Sequence, residues 1–243
     1  MNIILTMAGK YTRFQSFGRR VPKYLLPISH QTMLGVVMET FIRQAKDAHV
    51  YLIANKADQL FVPVLEGIMR SHNVSKENLI YISDTPNQVA TASMARKFKE
   101  LDESAPTCFA NIDTVLYKRE MFFEKLRTLD DSIKGLLDTF PGDSKEYSYC
   151  IADKNDNVIH VAEKKVISQE ACSGLYGFSD LYIFKEYAKH IKDKDLESFS
   201  DLYNLMVNDG LGVSKVNQED KNSTIVLGTP EEYVKNIHRF KIL

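Results

Sequence analysis

The sequence predicts a single-domain α/β fold with a mixed, mainly parallel central sheet. Two patterns indicate this fold class. Short apolar runs alternate with amphipathic stretches over the first half of the chain, and apolar runs with short connections follow in the second half. Alternating strands and helices are typical of right-handed βαβ units with a parallel sheet. No internal repeat and no linker rich in Pro, Gly or Ser divides the chain, so we expect one domain over residues 1–243.

The first half of the chain alternates strand-like and helix-like segments. Residues 2–6 form an apolar run without charge, which is typical of a buried parallel strand. Thr32 precedes apolar residues at three- and four-residue spacing, and a threonine in that place can cap a helix. The alternation predicts strands over 2–6, 49–54, 79–82 and 107–110, and helices over 32–46, 58–70 and 88–99.

The second half contains strand-like runs that follow one another without intervening helices. Residues 153–157, which read DKNDN, have the turn chemistry of a hairpin, because Asn and Asp tolerate the left-handed conformation. Thr229 can cap a helix that begins at Pro230. The pattern predicts strands over 132–140, 147–152, 158–163 and 175–184, which extend the sheet in mixed orientation, and helices over 196–207 and 231–239.

Composition narrows the class of protein. Lys and Arg number 31 against 32 Asp and Glu, and no run of five like charges occurs, which disfavours a nucleic-acid binder with a broad basic face. The apolar runs are much shorter than the roughly 20 residues that span a bilayer, and the first residues lack a basic segment typical of a signal peptide. We therefore expect a cytoplasmic protein. Cys108, Cys150 and Cys172 are widely spaced and odd in number, which predicts small buried side chains rather than disulfides or a metal knuckle.

Basic residues and a glycine follow the first predicted strand. Residues 7–14 read MAGKYTRF, and residues 21–28 read VPKYLLPI. A glycine with Lys10, Arg13 and Lys23 at the carboxyl end of a strand suits a polyphosphate, which needs backbone N–H groups and cations together. The alternative is a polar loop whose charges are solvated.

Acidic residues follow two later strands. Asp113 ends the run TCFANID, in the place where an open α/β sheet often holds a metal ligand, although an acid there can also cap a helix. Glu163 and Lys164 end the predicted strand 158–163, shortly before the run GLYGF at 174–178. The alternative for these two is a surface ion pair, which contributes little to stability.

Together and in this order, these segments resemble the sugar nucleotidyltransferase family, also called nucleoside-diphosphate-sugar pyrophosphorylases. The resemblance covers nearly the whole chain. It rests on the first loop ending in Arg-Phe, the block PKYLLPI, the Asp after the fourth strand, EKKVIS before GLYGF, and the terminal GTPEE. It implies a GT-A-like Rossmann fold and attack by a substrate phosphate on the α-phosphorus of a nucleoside triphosphate, with release of pyrophosphate and with Mg²⁺ as cofactor.

The resemblance also implies roles for single residues. Arg13 resembles the residue that holds the triphosphate and stabilises the leaving pyrophosphate, and Lys23 the lysine that bridges the α-phosphate and the attacking phosphate. Asp113 resembles the Mg²⁺ ligand. The binding residues that the resemblance implies are Met7, Ala8, Gly9, Lys10, Thr85, Asn87, Gln88 and Asp113 for the nucleotide, with segment 85–92 reading the base, and Glu163, Lys164 and Gly174 for the acceptor.

The sequence departs from the family pattern at three positions. Tyr11 and Asn87 stand where the family often has Gly, and Val226 stands where many relatives have a second metal-binding Asp. A metal site with two carboxylates is therefore in doubt. Mg²⁺ can still be held by Asp113, phosphate oxygens and water, because it usually keeps several waters and few protein ligands.

The details of the EKKVIS block and the missing second Asp look most similar to capsule-associated cytidylyltransferases. This likeness implies CTP as donor, phosphoglutamine or a sugar phosphate as acceptor, and a place in capsular or surface polysaccharide precursor synthesis. UTP- or dTTP-dependent transfer to a sugar 1-phosphate stays open. An inactive nucleotide-binding relative also stays open: Val226 and Tyr11 favour it, and the retained Arg13, Lys23, Asp113 and Lys164 oppose it. A glycosyltransferase with the same fold would need an Asp-x-Asp metal-binding motif, but the residue two positions before Asp113 is Asn111. A homodimer is also left open.

Overall fold

The computed structural model describes residues 1–15, 21–191 and 197–240. In chain order the strands are β1 (Asn2–Thr6), β2 (Pro27–Ile28), β3 (Gln31–Thr32), β4 (His49–Asn55), β5 (Leu79–Ile82), β6 (Thr107–Asn111), β7 (Thr114–Leu116), β8 (Ile133–Pro141), β9 (Tyr149–Ala152), β10 (Val158–Ala162), β11 (Glu170–Phe178), β12 (Gly212–Asn217) and β13 (Thr224–Val226). The α-helices are α1 (Thr12–Gln15), α2 (Met33–Gln44), α3 (Val62–Ser71), α4 (Gln88–Ala92), α5 (Glu120–Arg127), α6 (Leu181–Ala188), α7 (Phe199–Asn208) and α8 (Pro230–Asn236).

Nine strands of the described residues form one sheet, whose main path runs β10-β9-β11-β6-β1-β4-β5. Strands β6, β1, β4 and β5 are parallel, which confirms the prediction for the first half. Successive side chains of β1 enter different layers: Ile3 and Leu5 pack in the core under α2, and Ile4 packs in the core on the opposite face. Burial on both faces explains why β1 is an unbroken apolar run.

The second half extends the sheet in mixed orientation, as predicted. Strand β11 pairs antiparallel with β6, β8 and β9, and β12 pairs parallel with β8. Strands β9 and β10 form the predicted hairpin, and Asp156 in its turn has φ 62°. An Asp tolerates this left-handed conformation better than most residues, which is why the turn chemistry was readable from the sequence.

Two predicted helix caps are present. The Thr32 hydroxyl accepts a hydrogen bond from the Gly35 N–H at 3.1 Å at the start of α2. Thr229 and Glu232 form a reciprocal capping box at the start of α8, whose first residue is Pro230. These caps satisfy N–H groups that have no partner inside the helix, and they fix where each helix begins.

The predicted strand 175–184 is wrong in its second half. Strand β11 ends at Phe178, and α6 begins at Leu181 because the Asp180 side chain accepts from the Ile183 N–H at 2.8 Å. Residues 181, 184, 187 and 188 of this helix are buried, which is helical spacing. The apolar run therefore joins two elements, which an apolar run alone does not reveal.

Other boundaries also differ from the predictions. The segment 58–70 starts inside a 3₁₀ turn (Lys56–Phe61) and becomes α-helical only at Val62, where Pro63 fits the first turn. The helix over 88–99 is α-helical only through Ala92 and continues as a 3₁₀ turn (Ser93–Lys97). The helix over 196–207 is observed as α7, and its predicted first residue, Leu196, lies outside the described residues. The elements that were not predicted at all are α1, α5, β2, β3, β7, β12 and β13.

A buried ion pair joins the two halves of the chain. The Arg119 Nε donates to Asp138 Oδ2 at 2.7 Å, and both side chains are fully buried. The guanidinium also donates to Ser223 and Thr224, beside β13. Burial raises the pKa of Asp138, and the Arg119 charge opposes that shift. The pair therefore connects β8, β13 and the start of α5.

The three cysteines are buried and unpaired, as predicted. Within the part of the chain that the structure describes, no helix has both the length and the apolar character needed to cross a membrane.

Candidate active site

Two adjoining cavities lie at the carboxyl ends of β1 and β6. The first has a volume of about 450 Å³ and the second of about 610 Å³. The chain passes from β1 to β4 on one side, whereas β6 pairs on the other side, so the crevice lies where the strand order reverses. Open α/β sheets bind ligands at this point. The residues that line both cavities are Lys10, Tyr11, Lys23, Gln88, Asn111 and Asp113.

The first loop, residues 7–14, is held by hydrogen bonds from β4. The Met7 N–H donates to the Ile53 carbonyl at 3.0 Å, and Asn55 Nδ2 donates to the Ala8 carbonyl at 3.0 Å. Met7 and Ala8 are buried, while Gly9 is exposed and a Cβ there would meet no atom within 4 Å. The loop therefore leaves open space beside Gly9 in the second cavity.

The cations of the first loop lie at the rims of the cavities in exposed ion pairs. Lys10 Nζ contacts Asp84 Oδ2 at 2.9 Å, and Arg13 Nη2 contacts Glu146 Oε2 at 3.0 Å. All four side chains are at least half exposed. Exposed pairs of this kind contribute little to stability, so the cations can change partners when an anion binds.

Lys23 and Asp113 meet between the two cavities. Lys23 Nζ forms an ion pair with Asp113 Oδ2, and each side chain is 20% exposed. Lys23 belongs to a 3₁₀ turn (Lys23–Leu25), and Asp113 lies two residues after β6, with its carbonyl accepting from the Leu227 N–H at 2.7 Å. The sequence singled out both residues, and the structure brings them into contact.

Space for a ligand is left beside Asp113 because residue 228 is glycine. A Cβ on Gly228 would lie 3.2 Å from Asp113 Oδ2 and 3.4 Å from Glu232 Oε2. Glu232 itself accepts hydrogen bonds from the Tyr147 hydroxyl at 3.1 Å and the Thr229 N–H at 3.0 Å. A side chain at position 228 would therefore fill the gap between two carboxylates.

Among the described residues, no cluster of three or more His, Cys, Asp or Glu side chains could hold a metal ion. Val226 pairs with Thr114 in the small β7–β13 sheet and lines the first cavity, so it brings no second carboxylate. Asp113 beside open space nevertheless fits Mg²⁺, which takes one or two carboxylates and completes its shell with phosphate oxygens and water.

At the far end of the first cavity, Glu163 follows β10. Its Oε2 accepts hydrogen bonds from the Ser148 hydroxyl and from the Ser200 hydroxyl, the latter at 3.1 Å. Lys164 is exposed with φ 52°, so the turn after β10 takes a left-handed conformation there. Both residues line the first cavity.

Gly174 is required by its surroundings. Its φ is +88°, and a Cβ would lie 2.6 Å from Asn111 Nδ2. Gly adopts this conformation without strain and lets the Asn111 amide approach the backbone of β11. The amide in turn contacts Gln88, whose Nε2 donates to Asn111 Oδ1 and to Thr6 Oγ1.

The segment 85–92 lines the second cavity only in part, through Thr85, Pro86, Asn87, Gln88 and Thr91. Asn87 caps α4, because its Oδ1 accepts from the Ala90 N–H at 2.9 Å. The hydroxyls of Thr85 and Thr91 hydrogen-bond to each other at 2.5 Å. The departure from Gly at position 87 therefore places a helix cap at the mouth of the cavity.

The partners of the cations were not predicted from the sequence. Asp84, Glu146 and Asn55 all contact the first loop or its cations. None belongs to a recognisable motif, and each is distant in sequence from the residue that it contacts. Of these three residues, only Asp84 has a sequence signal like that of Asp113, because it is an acid two residues after a strand, β5.

Comparison with solved structures shows the fold. A nucleoside-diphosphate-sugar pyrophosphorylase from Vibrio cholerae RC9 is 23% identical, with a TM-score of 0.80 over 97% of this chain and 99% of that chain. A Bacillus anthracis protein assigned as a glucose-1-phosphate thymidylyltransferase, solved with sucrose, is 16% identical, with a TM-score of 0.80 over 100% and 95% of the two chains. A UDP-glucose pyrophosphorylase with bound UDP-glucose is 12% identical, with a TM-score of 0.76 over 98% and 97%.

The sequence itself matches no protein-family model and no curated protein. The structural likeness confirms the predicted GT-A-like Rossmann fold, and the similarity extends over almost the full length of each compared chain.

Proposed function

We propose that this protein is a Mg²⁺-dependent nucleotidyltransferase that transfers CMP from CTP to a phosphorylated small molecule and releases pyrophosphate. The observation that carries the proposal is the meeting of Lys23 and Asp113 where two cavities join. The second cavity, which the segment 85–92 lines in part, suits a nucleoside triphosphate. The first cavity, which Glu163 and Lys164 line, suits an acceptor. The reacting phosphates of the two substrates would then meet beside a lysine and a carboxylate that can hold a metal.

The chemistry is an in-line displacement. An oxygen of the acceptor phosphate forms a bond to the α-phosphorus, the bond from that phosphorus to the oxygen bridging the β-phosphate breaks, and pyrophosphate leaves with the electron pair. A phosphate monoester is already an anionic nucleophile, so positioning and cations matter more than a strong base. Lys23 would hold the α-phosphate against the acceptor phosphate, and Arg13 would bind the departing pyrophosphate.

Asp113 would hold Mg²⁺, and the metal would supply positive charge against the phosphates. In the structure, the Lys23 ammonium neutralises the Asp113 carboxylate. When substrates bind, Asp113 would exchange Lys23 for the metal cation, and Lys23 would exchange Asp113 for a phosphate. The charge of each side chain would then still be neutralised. Gly228 supports this role because its missing side chain leaves the carboxylate accessible.

Two residues at the far end of the first cavity support a phosphorylated acceptor. Lys164 brings a cation for the acceptor phosphate, and Glu163 accepts hydrogen bonds from a hydroxyl, an amide or an ammonium group. Ser148 and Ser200 both donate to Glu163 Oε2, which fixes the carboxylate. Phosphoglutamine and a sugar phosphate both fit this donor and acceptor set, and we favour phosphoglutamine on the likeness to capsule-associated cytidylyltransferases.

A second candidate is UTP- or dTTP-dependent transfer to a sugar 1-phosphate. The names of the structural neighbours, a UDP-glucose pyrophosphorylase and a protein assigned as a thymidylyltransferase, favour it. Both candidates share the reaction and differ in base and acceptor. For either, we place the reaction in the cytoplasm and in the synthesis of capsular or surface polysaccharide precursors.

The test is a matrix of pyrophosphate release. Purified protein with Mg²⁺ is mixed with CTP, UTP, dTTP, ATP or GTP, each with phosphoglutamine, glucose 1-phosphate or no acceptor. Release with CTP and phosphoglutamine above every other pair supports the proposal, and release with UTP or dTTP and glucose 1-phosphate supports the second candidate. Nucleotide binding by calorimetry without release in any pair would indicate an inactive nucleotide-binding protein instead.

A further inference from the structure

Asp58 is a buried carboxylate beside the candidate active site that the proposed reaction does not use. It is 1% exposed and lies in the 3₁₀ turn after β4. The Tyr11 hydroxyl donates to Asp58 Oδ1 at 2.7 Å, and the Tyr24 hydroxyl donates to Oδ2 at 2.9 Å. Each carboxylate oxygen therefore receives a tyrosine from a different segment of the chain.

Both tyrosines stand next to the cations of the site. Tyr11 lies between Lys10 and Arg13 in the first loop, and Tyr24 directly follows Lys23. Residues 16–20 lie between the two segments and are outside the described part of the chain. Among the described contacts, the Asp58 carboxylate connects both segments to the end of β4.

The backbone conformation of Tyr11 supports a functional role for its contact with Asp58. Its φ is 39°, in the left-handed region that favours glycine, and the start of α1 folds back onto its carbonyl through the Phe14 N–H at 3.0 Å. Glycine would adopt this conformation without strain. A tyrosine there is strained, but its hydroxyl reaches a buried anion, which glycine cannot do.

The charge states suit a lasting contact. Burial raises the pKa of Tyr11 and of Tyr24, and the nearby Asp58 carboxylate raises both further. Both phenols therefore stay protonated at neutral pH, so each hydroxyl can donate to Asp58. Hydrogen bonds from neutral donors to a charged acceptor are among the stronger ones in proteins.

We propose that Asp58 is a positioning residue that holds the segments carrying Arg13 and Lys23 at a fixed separation, through Tyr11 and Tyr24. The catalytic consequence rests on the proposed function: the cations must match a triphosphate and an acceptor phosphate at once. A small misplacement of such groups slows transfer even when binding persists. Tyr11 in place of the family's glycine is then the anchor of the first loop.

The variants that test the proposal are Tyr11→Phe, which removes one hydroxyl, and Asp58→Asn, which keeps the shape of the carboxylate. Tyr203→Phe is the matched control, because Tyr203 is fully buried and its hydroxyl donates to the Gly177 carbonyl at 2.8 Å, away from both tyrosines and outside the cavity linings. Any general effect of losing a buried tyrosine hydroxyl therefore appears in the control.

Backbone hydrogen exchange over residues 9–15 and 21–26 is the first readout. Tyr11→Phe should exchange at least about tenfold faster over 9–15, and Asp58→Asn over both segments, while Tyr203→Phe leaves both unchanged. Exchange in these segments that equals the wild-type rate in both variants would overturn the proposal. Because Tyr11→Phe removes only one atom from a half-buried side chain, it keeps the test valid if Asp58→Asn fails to fold.

Steady-state kinetics at a temperature where each variant is fully folded is the second readout. Tyr11→Phe should lose on the order of 10- to 100-fold in kcat, with KM for the nucleotide changed much less. A purely structural role would lower Tm and leave kcat unchanged, and that result would contradict the positioning role. If the wild-type protein transfers no nucleotide, the proposed function fails, and the hydrogen-exchange rates alone test the role of Asp58. Faster exchange in the variants then supports the view that Asp58 holds the two segments, and unchanged exchange overturns it.

Discussion

Asp113 lies where the two cavities meet, and its only ion pair within the described residues is with Lys23. In the proposed reaction it is the carboxylate for Mg²⁺. Asp113→Asn should therefore lower kcat on the order of 10²- to 10³-fold, because a neutral amide binds the cation poorly, while the fold persists. The measurement is pyrophosphate release at saturating Mg²⁺ together with thermal melting.

Asp131→Asn is the control for that experiment, since Asp131 is exposed and lines neither cavity. Activity of Asp113→Asn close to that of the control at saturating Mg²⁺, with unchanged melting, would show that Asp113 is no metal ligand.

Arg13 and Lys23 approach the cavities from two separate segments. Arg13→Ala and Lys23→Ala should each lose on the order of 10²- to 10³-fold in rate, the scale for one charge-stabilising donor at a site of developing charge. For Arg13 the loss should fall mainly on kcat, because the leaving charge develops in the transition state. Initial rates over a range of CTP concentrations separate kcat from KM, with Lys99→Ala, an exposed lysine outside both cavities, as control. A raised KM as the only defect would mean that Arg13 binds ground and transition states equally.

Lys164 offers a test of the acceptor end with a neighbour as control. Lys164 lines the first cavity, whereas Lys165 is equally exposed and does not. Lys164→Ala should raise KM for the phosphorylated acceptor about tenfold or more and change KM for CTP little, because in the proposed reaction this lysine pairs with the acceptor phosphate. Lys165→Ala should behave as wild type. Should Lys164→Ala weaken CTP saturation alone, the lysine belongs to the nucleotide side.

At the scale of elements, the buried Arg119 and Asp138 pair holds β8, β13 and the start of α5 together. Arg119→Met should destabilise the protein by about 3 to 5 kcal/mol, because it leaves an uncompensated carboxylate in the core. Lys118→Met, which removes an exposed ion pair with Asp220, should change stability very little, because solvent screens exposed pairs. Denaturant unfolding of both variants measures the difference.

The loss of stability in Arg119→Met should depend on pH, and the pKa of Asp138 gives the direction. Removal of Arg119 takes away the charge that opposes burial, so the folded pKa of Asp138 should rise further above the unfolded value. An acid with a raised folded pKa destabilises the fold increasingly as pH rises above the unfolded pKa. The deficit of Arg119→Met should therefore be smaller near pH 4 than at pH 7. An equal deficit at both values would mean that lost packing, rather than charge, explains the effect.

At the scale of the whole molecule, the proposed function predicts which nucleotide the crevice between β1 and β6 binds. CTP should bind more tightly than UTP, dTTP, ATP and GTP, because purines are larger and because a pocket whose polar groups pair with the exocyclic amine rejects a carbonyl. Calorimetry with each nucleotide and Mg²⁺ measures the order. Tighter binding of UTP or dTTP than of CTP would return the protein to the sugar 1-phosphate branch.

The sequence by itself determined most of the elements and the residues at strand ends. Strand β1, the parallel order of the first half, the hairpin turn with Asp156 and the Thr32 and Thr229 caps were all predicted, because each is encoded by residues within a few positions of one another. Asp113 was predicted because it lies two residues after β6, and the candidate cations were predicted because they lie in the segment that follows β1.

The tertiary structure alone decided which of these residues meet. Asp58 reaches Tyr11 across 47 positions, and Lys23 reaches Asp113 across 90 positions, so no local pattern can indicate either contact. The division of the run 175–184 into β11 and α6 also depended on the packing of Phe184 against Phe109 and Phe178. Local periodicity records how a segment faces the core, but the partner of a polar side chain depends on how distant segments pack, and that is fixed only when the sheet is assembled.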